Sequence, residues 1–221
     1  MAITERDVDG VTVVEMDDGK ANALSIPVIE EISAVLGAAS RDARPVVIAG
    51  RPGMLCAGYD LETIKSGDPQ RVSELLMAGR VMLRDVVAAP VPVIVACTGH
   101  AIAAGAMMLL VADLRFALGG PFRIGLTEVT IGMALPEFGV AVANHRLSPP
   151  HVTRAVAFGE VVGPEDARTF GFVDHVVDGD VVDAAISAAH SAAKIPTPAF
   201  ATTKQRRNAG LLAALASAED A

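Results

Sequence analysis

The chain has 221 residues, a net charge of −8, 52% apolar residues and a mean hydropathy of +0.44. That length buries one sizeable core, and the acidic balance argues against nucleic acid as a partner. Two cysteines, Cys56 and Cys97, give neither a disulfide framework nor metal-ligand spacing, so no metal is expected and a reducing cytoplasm fits.

The N-terminal residues Met1 to Asp7 lack a basic n-region and an apolar h-region, so no signal peptide is expected there. Val11 to Met16 is rich in β-branched residues and predicts a strand, turned by Asp17-Asp18-Gly19-Lys20. Ser25 is a candidate N-cap, with Pro27 tolerated in the first turn of a helix to about Ala38. Pro45 to Gly50 predicts a short strand buried on both faces. In the Gly/Pro-rich loop that follows, Asp60 is placed to cap a short helix. Asp68 caps a longer one that starts at Pro69 and ends near Ala88. Between Val91 and Ala112 there is no charged residue, so a membrane span must be weighed. Pro92 at a strand start, the β-rich run Val93 to Ala96, the break at Thr98-Gly99-His100 and the Ala/Met/Leu run beyond it argue instead for a buried strand, a tight turn and a buried helix. No membrane partner is expected. Leu114 to Ala117 and Phe122 to Ile124 predict brief strands, and Thr127-Glu128 opens an irregular segment containing Gly132 and Pro136. Ser148-Pro149 starts a helix to about Phe158, Pro164 starts another that Gly171 ends, and Phe172 to Val177 predicts the last strand. Two helices, Val181 to Ala193 and Ala199 to Ala216, close the chain. The stretch beyond Ile195 reads as a tail separable from the core. Alternating strands and helices predict an α/β fold with right-handed crossovers and a mostly parallel sheet. The apolar excess, much of it alanine, predicts wide subunit contacts.

Standard motifs are mostly absent: there is no G-x-G-x-x-G, no Walker loop and no G-x-S-x-G elbow. The five histidines are scattered and read as surface or satisfied side chains. Three segments remain. Cys56-Ala57-Gly58-Tyr59-Asp60-Leu61 is a small-residue turn after a buried strand. Gly99 to Gly105 is a small-residue turn into a helix, where free N–H groups and the positive end of the helix dipole gather. Ile124 to Gly132 carries one carboxylate, Glu128, among apolar neighbours. Parallel strands ending side by side bring the first two turns together at the carboxyl edge of a sheet. One N–H from each then holds one carbonyl oxygen, a donor of that kind being worth about 3–4 kcal/mol to an oxyanion. A carboxylate in apolar surroundings has a raised pKa and suits proton transfer. The plainer alternatives are an ordinary glycine turn and a glutamate at a solvated helix start.

These three segments, in this order, resemble the crotonase superfamily, the enoyl-CoA hydratases and isomerases. The likeness runs from Val11 to about Val177 and includes Gly19-Lys-Ala-Asn-Ala-Leu24 and Pro164-Glu-Asp-Ala-Arg-Thr-Phe-Gly-Phe-Val-Asp174. It implies a spiral of ββα units over residues 1–194, a C-terminal helical segment over 195–221, and assembly as a homotrimer or a dimer of trimers. It also implies an acyl-CoA substrate, with coenzyme A present as part of that substrate and no permanently bound cofactor. By motif position the thioester oxygen falls to the backbone N–H groups of Tyr59 and Ala104. Family members often carry glycine where Ala103 and Ala104 stand, a change that keeps the N–H. Family hydratases use two glutamates, at the positions of Met107 and Glu128 here, whereas the Δ3-Δ2-enoyl-CoA isomerases keep only the later one. The resemblance therefore favours isomerisation by Glu128. The alternatives are a hydratase and a catalytically silent acyl-CoA-binding protein. Glu137 is either a second acid near the pocket or a loop surface residue. Asp60 reads as a helix cap, Cys56 as a packed apolar group, and Met107 and Met108 as core or acyl-pocket lining. For CoA the resemblance points to Lys20, Ala21, Ala23, Leu24 and the backbone of Cys56, Ala57, Gly58, Asp60 and Leu61. The phosphates fall to Lys20, Arg51 and the Lys204-Gln-Arg-Arg207 cluster, unless that cluster is only a solvated helix face.

Overall fold

The computed structural model describes residues 3–217. It opens on a hairpin that the hydrophobic pattern does not report. β1 (Ile3–Val8) pairs antiparallel with β2 (Val11–Met16) across Asp9-Gly10. Both loop residues have positive φ, 50° and 88°, as a two-residue loop between twisted strands requires. β1 has no apolar alternation, since Thr4 to Asp7 are all exposed.

The chain then winds through three rounds of two strands and a helix. After α1 (Ile26–Arg41) come β3 (Val46–Gly50), β4 (Gly53–Cys56), the short α2 (Leu61–Ile64) and α3 (Pro69–Ala88). Next are β5 (Val93–Cys97), β6 (Gly99–Ile102) and α4 (Ala104–Val111). The third round is β7 (Leu114–Leu118), β8 (Ile124–Gly125), a 3₁₀ turn at Glu128–Ile131 and α5 (Glu137–Arg146). The chain finishes with a short 3₁₀ turn, α6 (Val152–Val156), α7 (Pro164–Phe170), β9 (His175–Val177), α8 (Val181–Ala192), α9 (Thr197–Arg207) and α10 (Ala209–Ala216). The first strand of each round joins a six-stranded sheet of order β1-β2-β3-β5-β7-β9, and the second joins a three-stranded sheet, β4-β6-β8. Apart from the opening hairpin the ladders between these strands are parallel. This is the expected α/β spiral of ββα units.

Strand periodicity explains the layering. In β3 and β5 every residue is buried. Val47, Ala49, Ile94 and Ala96 face α8, against Val181, Ala185, Ile186 and Ala189. Val46, Ile48, Val93 and Val95 point the other way, into the main core with α1, α3 and α4. α3 keeps one apolar stripe, Leu75, Gly79, Met82, Leu83 and Val86, turned to that core. Asp68 caps it by accepting from the Gln70 and Arg71 amides, with Pro69 at its first position as the sequence predicts. Gly171 ends α7 in the left-handed region at φ 96°.

Several elements depart from expectation. Thr98-Gly99-His100 is not a turn into a helix: Gly99 starts β6. A Cβ there would sit 1.9 Å from the Gly53 carbonyl carbon, so glycine lets β6 lie against β4. The segment expected to stay irregular contains α5. Its β-branched residues and Gly139 have weak helix propensity, which burial of Phe138, Val142 and Ala143 overrides. The last helix is broken at Asn208, a buried side chain bonded to the Val87 carbonyl and to His145. Its second half, α10, brings Leu211 and Leu215 into the main core against α3 and α5. Among the described residues no helix is long and apolar enough to cross a membrane.

Candidate active site

The three segments singled out by sequence leave the carboxyl ends of the three strands of the small sheet. β4 leads into 57–61, β6 into 103–105 and β8 into 126–128. Because the strands are parallel and adjacent, the three turns emerge on one edge.

The turn after β4 lies beside the loop after β2. The Ala57 amide donates to the Ala21 carbonyl at 3.0 Å, the Leu24 amide to the Gly58 carbonyl at 2.9 Å, and the Asp60 amide to the Leu24 carbonyl at 3.0 Å. The residues on either side of Tyr59 thus bond toward Leu24, which turns the Tyr59 N–H to the opposite side. On that side Gly58 meets the turn into α4. A Cβ on Gly58 would lie 3.0 Å from the Ala103 Cβ and 3.7 Å from the Ala104 nitrogen. Ala103 sits at φ 52°, ψ −120°, a conformation normally left to glycine, and its N–H donates to the Gly125 carbonyl at 2.9 Å. Ala104 is the first residue of α4, so its N–H has no partner within the helix. One residue on, a Cβ on Gly105 would sit 2.3 Å from the Cys56 carbonyl oxygen, so glycine allows α4 to start directly on the β4 backbone.

Glu128 begins the 3₁₀ turn after β8 and is only 8% exposed. Its Oε2 is buried without a hydrogen-bond partner, and burial raises its pKa above the usual carboxylate value. It shares a cavity of about 230 Å³ with Ala57, Tyr59, Leu76, Ala103, Met107 and Ile131. Burial, and then the Glu128 charge, also push the Tyr59 phenol above its ordinary value, so it stays protonated at neutral pH. Among the described residues lining this cavity Glu128 is the only carboxylate. Met107, 1% exposed, lines the cavity as an apolar wall.

The other expected residues are placed as follows. Glu137 is exposed in the first turn of α5; its neighbour Pro136 lines the cavity and Glu137 itself does not. Asp60 caps α2 by accepting from the Thr63 amide at 2.9 Å and hydroxyl at 2.7 Å. Cys56 is buried, and desolvation lifts its thiol to about 12, an inert packing group. Leu61 is 54% exposed at the cavity rim. Lys20 is exposed, and the Arg51 guanidinium donates to its carbonyl at 2.8 Å, so two cations stand where the loop after β2 meets the turn between β3 and β4. Lys204 is not a free cation: it is buried and donates to Asp113 at 2.7 Å, and burial lowers its amine pKa despite that partner. Arg207 bonds His145 and Asn208, and both it and Arg206 stand on the solvated face of α9.

Sequence reasoning gave no role to Asn22. Its buried side-chain amide donates to the carbonyls of Met16, Leu55 and Met54 at 2.8, 3.1 and 3.2 Å, and its oxygen accepts from the Asp18 amide. It locks the loop after β2 onto β4 at φ 51°, a backbone state that asparagine tolerates. An Asn inside the Gly19 to Leu24 motif was the available signal. Leu76 and Gly79 on α3 had none.

Comparison with known proteins follows the same lines. The enoyl-CoA hydratase/isomerase family model matches residues 6–221. An enoyl-CoA hydratase/isomerase family protein from Pseudomonas syringae superimposes with a TM-score of 0.94 at 38% identity, over 97% of this chain and 93% of its own. A Mycobacterium tuberculosis enoyl-CoA isomerase does so at 0.92 and 31%, over 97% and 95%. An enoyl-CoA hydratase, EchA3, from Mycobacterium marinum gives 0.92 and 31%, also over 97% and 95%. Relatives named for both reactions lie equally near. With the family matched along nearly its whole length, on the fold expected of it, the chain belongs to the enoyl-CoA hydratase/isomerase family of the crotonase superfamily.

Proposed function

We propose that the protein moves a double bond in an enoyl-CoA thioester from C3–C4 to C2–C3, with Glu128 as its single acid–base group. The observation that carries this reading is the lone Glu128 carboxylate in the cavity, its Oε2 buried without a hydrogen-bond partner, in a lining that holds the apolar Met107 and no second acid. Hydration requires one group to activate water and another to deliver a proton; isomerisation requires only one that does both in turn.

The thioester oxygen sits on the Tyr59 and Ala104 amides. The Glu128 carboxylate removes a proton from C2, and the electron pair passes into the enolate that those amides stabilise. The resulting carboxylic acid returns the proton at C4 as the electrons flow back, so the double bond moves and the base is regenerated. A raised pKa strengthens the base and keeps its protonated form within reach. The paired loops 20–24 and 57–61 carry the CoA portion, with Lys20 and Arg51 for the phosphates; CoA enters and leaves with the substrate. In this reading the enzyme is cytoplasmic and works as a homotrimer or a dimer of trimers. Phe158 at 74% and Ile131 at 60% exposure near the Glu128 turn are the apolar side chains that such contacts would cover.

The test is a spectroscopic assay with 3-enoyl-CoA and 2-enoyl-CoA on wild type and Glu128→Gln. Turnover of the 3-enoyl thioester that collapses in the variant supports the reading. Efficient hydration of the 2-enoyl thioester without isomerisation replaces it with the hydratase, and binding without turnover replaces it with a silent acyl-CoA-binding protein.

A further inference from the structure

The Tyr59 side chain has no part in the proton transfer, yet its placement is specific. Tyr59 lines the cavity beside Glu128 and Met107, and its ring runs out onto α3 at Gly79. A Cβ on Gly79 would lie 2.1 Å from the Tyr59 hydroxyl oxygen, 2.5 Å from Cε1 and 2.6 Å from Cζ. The far end of the ring therefore fills the space that any side chain at position 79 would take. Glycine in the middle of a 20-residue helix costs up to about 1 kcal/mol relative to alanine, so the seat is kept at a cost to the helix. Leu76, one turn earlier on α3, lines the same cavity. Leu61 and Ile131 stand at the exposed rim, at 54% and 60%, whereas Met107 and Glu128 are buried at 1% and 8%. The lining thus joins an exposed rim, the buried carboxylate and the Tyr59 ring, whose far end lies on α3. Its volume of about 230 Å³ lies below the roughly 300–1,000 Å³ usual for ligand pockets.

We propose that the Tyr59 ring, seated on Gly79, is the stop that limits the length of the acyl chain this protein accepts. The occupant is a short aliphatic acyl group; without the ring, the groove over Gly79 would extend the cavity along α3. The inference rests on the acyl-CoA reading above and adds to it the choice of substrate within that class.

The experiment measures affinity for saturated acyl-CoA thioesters of increasing length by calorimetry, so it does not depend on turnover. In wild type, affinity rises with each methylene and then stops rising. In Tyr59→Ala it continues to rise beyond that point by about fourfold per methylene, the equivalent of ~0.8 kcal/mol for each CH₂ buried. Tyr59→Phe keeps the wild-type limit, because the ring and not the hydroxyl is the stop. Gly79→Ala pushes the ring into the cavity and shortens the limit, and Tyr59→Ala/Gly79→Ala behaves as Tyr59→Ala. Profiles of wild type and Tyr59→Ala that run parallel overturn the proposal, as does a Tyr59→Phe profile that follows Tyr59→Ala. Failure of any acyl-CoA to bind any of these proteins overturns instead the reading on which the proposal rests.

Discussion

Glu128→Gln separates the chemical role of this side chain from its structural cost. The replacement keeps the shape and removes the proton-transfer group. No other described residue lining the cavity carries a carboxylate, so nothing there can take over. The full general-base contribution should be lost, about 10²–10⁴-fold in kcat, or roughly 3–5 kcal/mol of barrier. Stability should move the other way. The folded pKa of Glu128 is raised above its ordinary value near 4.5. Below that value both folded and unfolded chains hold the proton, and the group contributes nothing. As pH rises through it, the unfolded chain ionises first and the folded state is penalised, a cost that levels off above the folded pKa. A buried polar group without a partner costs about 1–3 kcal/mol, of which glutamine, itself unpartnered, recovers only part. For a chain of this length each kcal/mol is worth roughly 2–4 °C. Thermal unfolding should therefore show the variant about 2–4 °C more stable at pH 7 and level with wild type at pH 4. A variant less stable at pH 7, or a gap that persists in acid, refutes the account of a buried carboxylate with an unpaired oxygen. Activity within a few-fold of wild type refutes Glu128 as the base.

Three further outcomes follow from other residues. Ala103→Gly relieves a backbone strain of about 1–3 kcal/mol, offset by up to about 1 kcal/mol of chain entropy; calorimetry should show a net gain near 1 kcal/mol, and a loss would mean that φ 52° is not strained here. Met107→Glu places a second carboxylate in the cavity. Like charge raises the Glu128 pKa further, so the acid limb of the kcat/KM profile should move to higher pH, and an unmoved limb would mean that the two side chains do not share the space. Asp113→Ala leaves Lys204 buried and uncompensated, with an expected loss of about 3–5 kcal/mol and little change in KM for acyl-CoA. A KM effect without a stability loss would return Lys204 to the phosphate-binding candidates.

The parts of this molecule that were legible in the sequence are those with a local physical cause. Asp68-Pro69 announces a helix start and Gly171 a helix end, because cap and left-handed geometry depend on the residue itself. The three small-residue and glutamate segments were legible as a set, and their convergence follows from parallel strand ends. What escaped depends on distant partners. β6 is a strand because Gly99 meets Gly53, and α5 is a helix because Phe138 and Val142 find a core to enter. Lys204 looks like a surface cation until Asp113, 91 positions away, is brought beneath it. β1 differs: its Asp-Gly loop was a readable hairpin signal, but the exposed strand before it carries no apolar pattern.

The small sheet has a consequence of its own. Its strands are two to four residues long, yet every turn that meets the cavity from a strand end hangs from them. α8 clamps the far face of the large sheet, and none of its residues borders the cavity. Damage to the clamp would loosen the whole molecule while leaving each surviving copy chemically intact. A rewritten turn would change the reaction while the scaffold still assembled. Reactivity and durability are thus addressed by different stretches of sequence.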